Sequence, residues 1–161
     1  MTIKLDRKFA FVRLPDISPQ EIIEHMSDAR VAEHMPLLTF EWSEQKLADF
    51  VAAKEECWNL DGLGHWAILC DNAYVGWGGF QKEGDEWDFG LVLKPDSFGL
   101  GLHITKKALT FAFADERIPF VTFLLPRSRT KLGALARLGA RFVEEIDYGG
   151  EQFLKFRLDT V

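Results

Sequence analysis

The sequence predicts an α+β fold, in which a mixed, mostly antiparallel sheet of about seven strands carries helices on both faces. Short segments of alternating apolar residues in the first half of the chain are typical of antiparallel strands. A nearly continuous apolar run, residues 120–125, follows a helical pattern and is typical of a parallel strand covered on both faces. Because 161 residues suffice for one compact domain, we expect residues 1–161 to form a single domain.

Composition and charge favour a globular protein that neither binds nucleic acid as its main role nor spans a membrane. Apolar residues make up 47% of the chain and charged residues 27%, as in globular proteins. A net charge of −6 argues against nucleic-acid binding as the main role. We expect no membrane span, because no apolar run reaches about 18 residues, and no signal peptide, because the N-terminus lacks a long apolar run. Cys57 and Cys70 form neither a zinc nor a disulfide pattern, so we expect no metal and a reducing, cytoplasmic location.

The first half of the chain is predicted to contain a strand, a helix with a short second turn, a longer helix and an antiparallel hairpin. Their expected positions are residues 7–14, 18–26, 29–35, 43–61 and 66–80. Ser18, Pro19 and Glu21 form a capping box at the start of the first helix. Ser43 is the N-cap of the longer helix, and Gly62 ends it.

The second half is predicted to contain four strands and two helices. The strands are expected at residues 86–93, 120–125, 142–147 and 152–158, and the helices at residues 99–115 and 129–138. Pro95 stops the first of these strands, and Gly139 ends the second helix. The helix between the first two strands makes a β-α-β crossover, which should be right-handed with its two strands parallel. The last two strands form a hairpin around residues 148–150.

Two glycines lie where a strand ends and a helix begins. Gly99 and Gly101 are one residue apart in the segment from Leu91 to Leu102. In such a turn, successive backbone N–H groups point at one spot in front of the helix, which suits a phosphate or pyrophosphate. Glycine lets the backbone approach a ligand closely because it has no Cβ. Taken alone, the two glycines are explained equally well by a flexible helix start.

The wider sequence resembles the GNAT acetyltransferases. Residues 96–101 resemble motif A of that family, Gln/Arg-x-x-Gly-x-Gly/Ala, with both glycines present and Asp96 in the first position. Residues 132–142 resemble motif B, with Ala140 in place of the usual Phe. The family's second to fourth strands correspond to residues 66–76 and 88–93. The resemblance spans residues 8–158 and is closest to the ribosomal-protein acetyltransferase-like (RimJ/RimL) branch.

This resemblance implies an N-acetyltransferase. Such an enzyme moves the acetyl group of acetyl-CoA to a primary amine by direct attack in a ternary complex, and its CoA cleft lies between two splayed parallel strands. The implied acetyl-CoA-binding residues are Leu91, Val92, Leu93, Phe98, Gly99, Leu100, Gly101, Leu102, His103 and Ser128. The backbone of residues 91–93 would pair with the pantetheine arm like an added strand. The N–H of Val92 is preferred for polarising the thioester carbonyl.

Carboxylates on the fourth strand are the candidates for the general base. Alternation places Glu86 and Asp88 on one face of that strand. Asp88 is the first choice because the branch commonly has a Glu there, and the ordinary alternative is that both are solvated strand residues. His65 and His103 are weaker candidates.

The sequence indicates the group that would protonate the leaving thiolate less clearly than it indicates the general base. Many family members have a Tyr in motif B at the position of Leu135. Ser128 stands where the branch places an Asn, so it could bind or protonate the thiol. A plain N-cap for the following helix is the simpler role for Ser128.

The amine acceptor is expected to enter over residues 26–58, beside the hairpin at Tyr148. The candidate walls of its site are His34, Met35, Phe40, Trp42, Trp77 and Trp87. Aromatic walls suit a cation. The sequence leaves open whether the acceptor is a peptide or a small molecule, which acyl chain is used and whether a homodimer forms. Two alternatives also stay open: a GNAT-fold module that binds CoA without acyl transfer, and an unrelated α+β domain with another phosphate ligand.

Overall fold

The structure, a computed structural model, describes residues 8–38, 40–129 and 132–160. Its strands are β1 (Phe9–Val12), β2 (His65–Cys70), β3 (Ala73–Glu83), β4 (Glu86–Leu93), β5 (Phe120–Pro126), β6 (Arg141–Tyr148) and β7 (Glu151–Asp159). They form one seven-stranded sheet in the order β1-β2-β3-β4-β5-β7-β6. β4 and β5 run parallel, and every other neighbouring pair is antiparallel. The predicted mixed sheet with one parallel pair is thereby confirmed.

Within the described part of the chain, five α-helices and two 3-10 turns connect the strands. The helices are α1 (Pro19–Ser27), α2 (Ala29–Ala32), α3 (Glu44–Asp61), α4 (Gly101–Phe113) and α5 (Gly133–Leu138). The 3-10 turns cover Leu14–Asp16 and Pro95–Leu100. Ser43 caps α3 as predicted, because its Oγ accepts a hydrogen bond from the Lys46 N–H at 3.1 Å. Ser18 precedes α1 but its side chain makes no capping hydrogen bond, so only the position of that helix start is confirmed.

The second helix predicted in the second half of the chain is shorter than expected. The sequence predicts it over residues 129–138, but it begins only at Gly133, after Leu132 at the N-cap. The chain first makes a separate turn, in which the Arg129 N–H donates to the Pro126 carbonyl at 3.0 Å. Ser128 is therefore not the N-cap of α5. Thr130 and Lys131 lie outside the described residues, as does Arg7 at the start of the first predicted strand.

Apolar clusters lie on both faces of the sheet, with helices on both faces as predicted. On one face, Phe80, Trp87 and Phe89 pack with apolar residues of α4. On the other, Trp77 packs with residues of α1 and α3. Side chains alternate along β4, so Trp87 and Phe89 face α4 while Asp88 lies on the face that α3 covers. None of the described helices is long and apolar enough to span a membrane.

Candidate active site

The parallel strands β4 and β5 diverge after a short paired stretch. They pair only at Trp87↔Val121 and Asp88↔Thr122. Beyond this point residues 89–93 of β4 have partners on β3 alone, while β5 stays paired with β7 as far as Pro126. The opening between residues 89–93 and 123–126, here named the β4–β5 wedge, has Asp88 at its apex.

The backbone groups of β4 alternate in direction. Residues of an antiparallel strand exchange hydrogen bonds with their neighbour at every second position. The Lys94 N–H, just after β4, donates to Val75 of β3 at 2.8 Å. The Trp87 carbonyl instead accepts a hydrogen bond from Thr122 Oγ1 of β5 at 3.4 Å. The backbone N–H and C=O groups of even-numbered β4 residues are therefore hydrogen-bonded to β3. Those of odd-numbered residues are directed towards β5.

This alternation determines which backbone groups border the wedge. Leu91 and Leu93 direct their N–H and C=O groups into it, beyond the last β5 residue that pairs with β4. Val92 lies opposite Trp77 and directs its N–H towards β3. The preference for Val92 as the donor to a thioester carbonyl does not fit this register. Leu91 and Leu93 hold the positions that can add a strand.

The glycine turn has an open outer surface. A Cβ built on Gly99 would meet no atom within 4 Å, and one built on Gly101 would meet only Leu93 Cδ1, at 3.7 Å. Phe98 and His103 are exposed beside it, whereas Leu100 and Leu102 are half-buried. Because α4 begins at Gly101, its N-terminal N–H groups lie at this surface. The turn therefore leaves open space in front of the N-terminus of α4.

Asp88 is a partly buried carboxyl at the apex of the wedge. Its Oδ1 accepts a hydrogen bond from Thr122 Oγ1 at 2.9 Å. Burial raises the pKa of Asp88 to about 7, and the nearby charges of Glu83 and Glu86 act in the same direction, while the Thr122 hydrogen bond and the charge of Lys155 oppose them. A carboxyl with such a pKa can accept a proton near neutral pH and release it again.

Polar side chains continue from Asp88 along the same face of the sheet. Lys155 Nζ donates to Glu86 Oε1 at 2.7 Å, so Glu86 is held in an ion pair. Glu83 accepts hydrogen bonds from Gln81 Nε2 at 3.0 Å and from the Tyr148 hydroxyl at 3.3 Å. Among the described residues no lysine forms an ion pair with Asp88, although the charge of Lys155 acts on it, so Asp88 is the better placed of the two predicted bases.

His65 reaches this face from β2. Its ring lies beside Gly90 of β4, where a built Cβ would be 3.6 Å from His65 Cε1. Burial lowers the pKa of His65 well below its usual value, so the imidazole is neutral. Its Nδ1 has no hydrogen-bond partner among the described residues. Because a lowered pKa means that the imidazole binds a proton weakly, His65 is a poor general base.

Lys54 of α3 is a site residue that the sequence patterns above do not single out. Its Nζ donates to Gln81 Oε1 at 2.9 Å and lies 5.1 Å from the centroid of the Trp77 ring. Burial lowers the pKa of Lys54 to about 8. The sequence feature that could have identified Lys54 is its helical spacing from Leu47 and Phe50. This spacing places Lys54 on the apolar stripe of α3, which faces the sheet.

Ser128 lies in a groove at the β5 end of the wedge. The groove has a volume of about 300 Å³ and lies between the segment after α2, the end of β5 and the β6–β7 turn. Ser128 Oγ and His34 Nδ1 are 2.8 Å apart and share a hydrogen bond across it. This pair connects two segments that are 94 residues apart in sequence. The structure therefore brings together two of the predicted site residues.

The predicted aromatic walls are mainly core residues. Trp42, Trp77 and Trp87 are all buried. Trp87 lies on the α4 face of the sheet and its Nε1 donates to the Arg117 carbonyl at 3.1 Å, so it does not line a site at Asp88. Trp77 contacts a polar group of the Asp88 face, because Lys54 Nζ lies over its ring. The described residues contain no cluster of three or more side chains that could hold a metal ion.

Solved structures of other proteins share this fold. An acetyltransferase from Bacillus anthracis, described as a GNAT family member, has 18% sequence identity and a TM-score of 0.72, covering 99% of each chain. An N-acetyltransferase from Campylobacter jejuni in complex with acetyl coenzyme A has 16% identity and a TM-score of 0.68, covering 94% of this chain and 99% of the other. These identities are low, so the solved structures show the shared fold.

A third solved structure is the spermidine N-acetyltransferase from Vibrio cholerae, in complex with CoA and spermine. It is 8% identical with a TM-score of 0.74, covering 96% of this chain and 95% of the other. No curated protein matches the sequence significantly. The model of the acetyltransferase (GNAT) domain family matches residues 12–141, which is most of the chain. The protein with this β4–β5 wedge belongs to the GNAT acetyltransferase family.

Proposed function

We propose that this protein is an N-acetyltransferase that moves the acetyl group of acetyl-CoA to a primary amine by direct attack in a ternary complex. The observation that carries the proposal is the β4–β5 wedge with Asp88 at its apex. At this wedge, the backbone groups of Leu91 and Leu93 that do not pair with β3 lie near the Asp88 carboxyl, whose pKa suits a general base. The structural neighbours from Campylobacter jejuni and Vibrio cholerae, solved with acetyl coenzyme A and with CoA, support this choice of donor.

The donor would be held by backbone groups. The N–H and C=O groups of Leu91 and Leu93 are free to pair with the amides of the pantetheine arm, as an added strand does. The N–H groups of residues 98–103, around the open surface at Gly99, would bind the pyrophosphate. Bound acetyl-CoA supplies a thioester carbonyl, which a backbone N–H of Leu91 or Leu93 would polarise.

Asp88 would act as the base. An aliphatic ammonium group with a pKa of ~10 must lose a proton before its nitrogen can attack. With its pKa raised to about 7, Asp88 is ionised in a large fraction of molecules at neutral pH and can take that proton, directly or through water. The ion pair of Glu86 with Lys155 makes Glu86 the weaker candidate.

Ser128 would assist the leaving group from the other side of the wedge. Its hydroxyl shares a hydrogen bond with His34, so the pair could pass a proton to the departing sulfur. A thiolate of pKa ~8.5 can also leave unprotonated, which is consistent with Leu135 at the usual Tyr position. The acceptor, a small amine or a peptide, would enter through the groove that Ser128 lines. The RimJ/RimL branch, the cytoplasmic location and the homodimer remain predictions.

Thermal unfolding with acetyl-CoA tests the donor. At about a hundred times its dissociation constant, acetyl-CoA should add roughly 2.7 kcal/mol to the free energy of unfolding. Desulfo-CoA should stabilise the protein similarly, and adenine nucleotides should not. The absence of stabilisation would contradict the proposal. Thiol release with a panel of amines then tests transfer, and binding without release for every amine would support the CoA-binding module instead.

A further inference from the structure

Lys54 holds a primary amine on the same face of the sheet as the proposed base. Its Nζ donates to Gln81 Oε1 at 2.9 Å and lies over the rings of Phe50 and Trp77, at 5.6 and 5.1 Å from their centroids. The amine is therefore confined between α3 and β3. Aromatic rings and an amide oxygen are the kind of surroundings that recognise an ammonium group.

The register places this amine next to Asp88. Gln81 of β3 and Asp88 of β4 are direct cross-strand partners, and their side chains extend from the same face. Cβ atoms of such partners are about 5 Å apart. A lysine side chain is long and flexible, so its nitrogen can move from Gln81 towards Asp88 while α3 stays in place. Asp88 also lies at the apex of the wedge that would hold the donor.

The surroundings of Lys54 also favour its reactive form. Burial lowers its pKa to about 8, although Cys57, Glu83 and Asp88 act to raise it. At pH 7 such a lysine is a free amine in roughly a tenth of the molecules, whereas a lysine of ordinary pKa ~10.4 is free in well under a thousandth. Only the free amine is a nucleophile, so Lys54 is primed relative to the exposed lysines.

We propose that Lys54 is an internal acetyl acceptor, acetylated by its own protein when no other amine is bound. The inference rests on the proposed acetyl-CoA-dependent activity. The ammonium nitrogen of Lys54 first gives one proton to the Asp88 carboxylate. The nitrogen then forms a bond with the thioester carbonyl carbon, and the carbon–sulfur bond breaks with its electron pair on sulfur. The second proton leaves the nitrogen for the departing thiolate, directly or through solvent.

The modification would change the Asp88 face. An acetylated lysine is neutral, so the face around Glu83 and Asp88 would lose the positive charge of Lys54 and its cation–π contacts, while Lys155 would remain charged. The amide N–H that remains can still donate to Gln81. Acetylation would thus leave the protein folded but more acidic at the place where a cationic acceptor must approach.

Site-resolved mass spectrometry tests the inference. The full-length protein is incubated with acetyl-CoA and no amine, and the acetylated fraction of each lysine is followed over time. We expect Lys54 to be acetylated more than about tenfold faster than the exposed Lys46 of the same helix. The rate per molecule should not depend on protein concentration, because the reaction occurs within one chain. K54R should abolish this signal, and the matched K46R should not.

Two further measurements separate the possible failures. D88N should slow acetylation of Lys54 at least about tenfold and leave that of Lys46 unchanged, since only Lys54 would use the base. An unmodified Lys54 in a protein that acetyl-CoA stabilises thermally would overturn the inference alone. Acetylation of Lys54 in D88N at the wild-type rate would overturn it as well. If acetyl-CoA does not stabilise the protein, the proposed function and the inference fall together.

Discussion

At the residue scale, burying the Asp88 carboxylate lowers the stability of the protein above neutral pH, and the same burial gives Asp88 a pKa that suits a general base. Burial raises the pKa of this carboxyl to about 7, so the folded state binds a proton more tightly than the unfolded state does. The resulting stabilisation is complete below the unfolded pKa of ~3.9 and is lost as the pH rises through about 7. A group that served only the fold would not need to be an ionisable side chain at this position.

Replacing Asp88 by Asn should therefore separate activity from stability. Asn keeps the oxygen that accepts from Thr122 but cannot take a proton, so kcat/KM should fall by about 10²- to 10⁴-fold. In the wild type, kcat/KM should rise with pH through about 7, and D88N should lose this limb of the profile. At pH 8 the melting temperature of D88N should exceed that of the wild type, because no buried charge remains.

The control for Asp88→Asn is the same substitution three residues earlier. Asp85 is exposed in the turn between β3 and β4, so D85N should change neither the pH profile nor the stability appreciably. An Asp88→Asn enzyme with an unchanged rate would remove Asp88 from the role of base. A D88N protein less stable than the wild type at pH 8 would show that the Asp88 charge is not penalised by burial.

At the element scale, the function of β4 depends on which of its backbone groups are already paired. Amide hydrogen exchange should show this directly. In the free protein the N–H of Val92 should be protected by β3, while the N–H groups of Leu91 and Leu93 should exchange faster. Acetyl-CoA should slow exchange at Leu91 and Leu93 by about tenfold or more and leave Val92 nearly unchanged. Slowing at Val92 alone would contradict the register described for β4.

Elements also differ in how far the sequence predicts them. β4 has the predicted bounds, 86–93, because alternation of apolar residues and Pro95 are local signals. The direction of its backbone groups was not predictable, since it depends on how β3 and β4 are paired at their turn. The contact of Ser128 with His34 could not be predicted for a related reason. The two residues belong to segments far apart in the sequence, and the local sequence of neither segment indicates that it contacts the other.

At the scale of the whole molecule, the sheet that contains the wedge lies between apolar cores on its two faces. Phe80 is fully buried in the core that faces α4, where its ring packs against Phe89 at 5.4 Å between centroids. This core lies directly beneath β3 and β4. The aromatic content of the sequence predicted such a core, but not which rings belonged to it and which to the site.

Truncation of this core should destabilise the whole protein. Phe80→Ala should lower the free energy of unfolding by roughly 3–5 kcal/mol, because it removes buried apolar area and leaves a cavity. Phe113→Ala is the matched control, since the Phe113 side chain on α4 is 53% exposed and its loss should cost less than about 1 kcal/mol. Urea denaturation of both variants measures the difference. An equal decrease in the free energy of unfolding for the two variants would show that burial of Phe80 contributes no more to stability than the exposed Phe113 does.

The divergence of β4 and β5 has a consequence for the energetics of recognition. One strand is fixed by its hydrogen bonds to β3 and the other by those to β7, so the gap exists before any ligand arrives. A donor entering it need not break pairing within the sheet. The protein is in this sense preorganised, and the entropic cost of association falls mainly on the flexible arm of the incoming molecule.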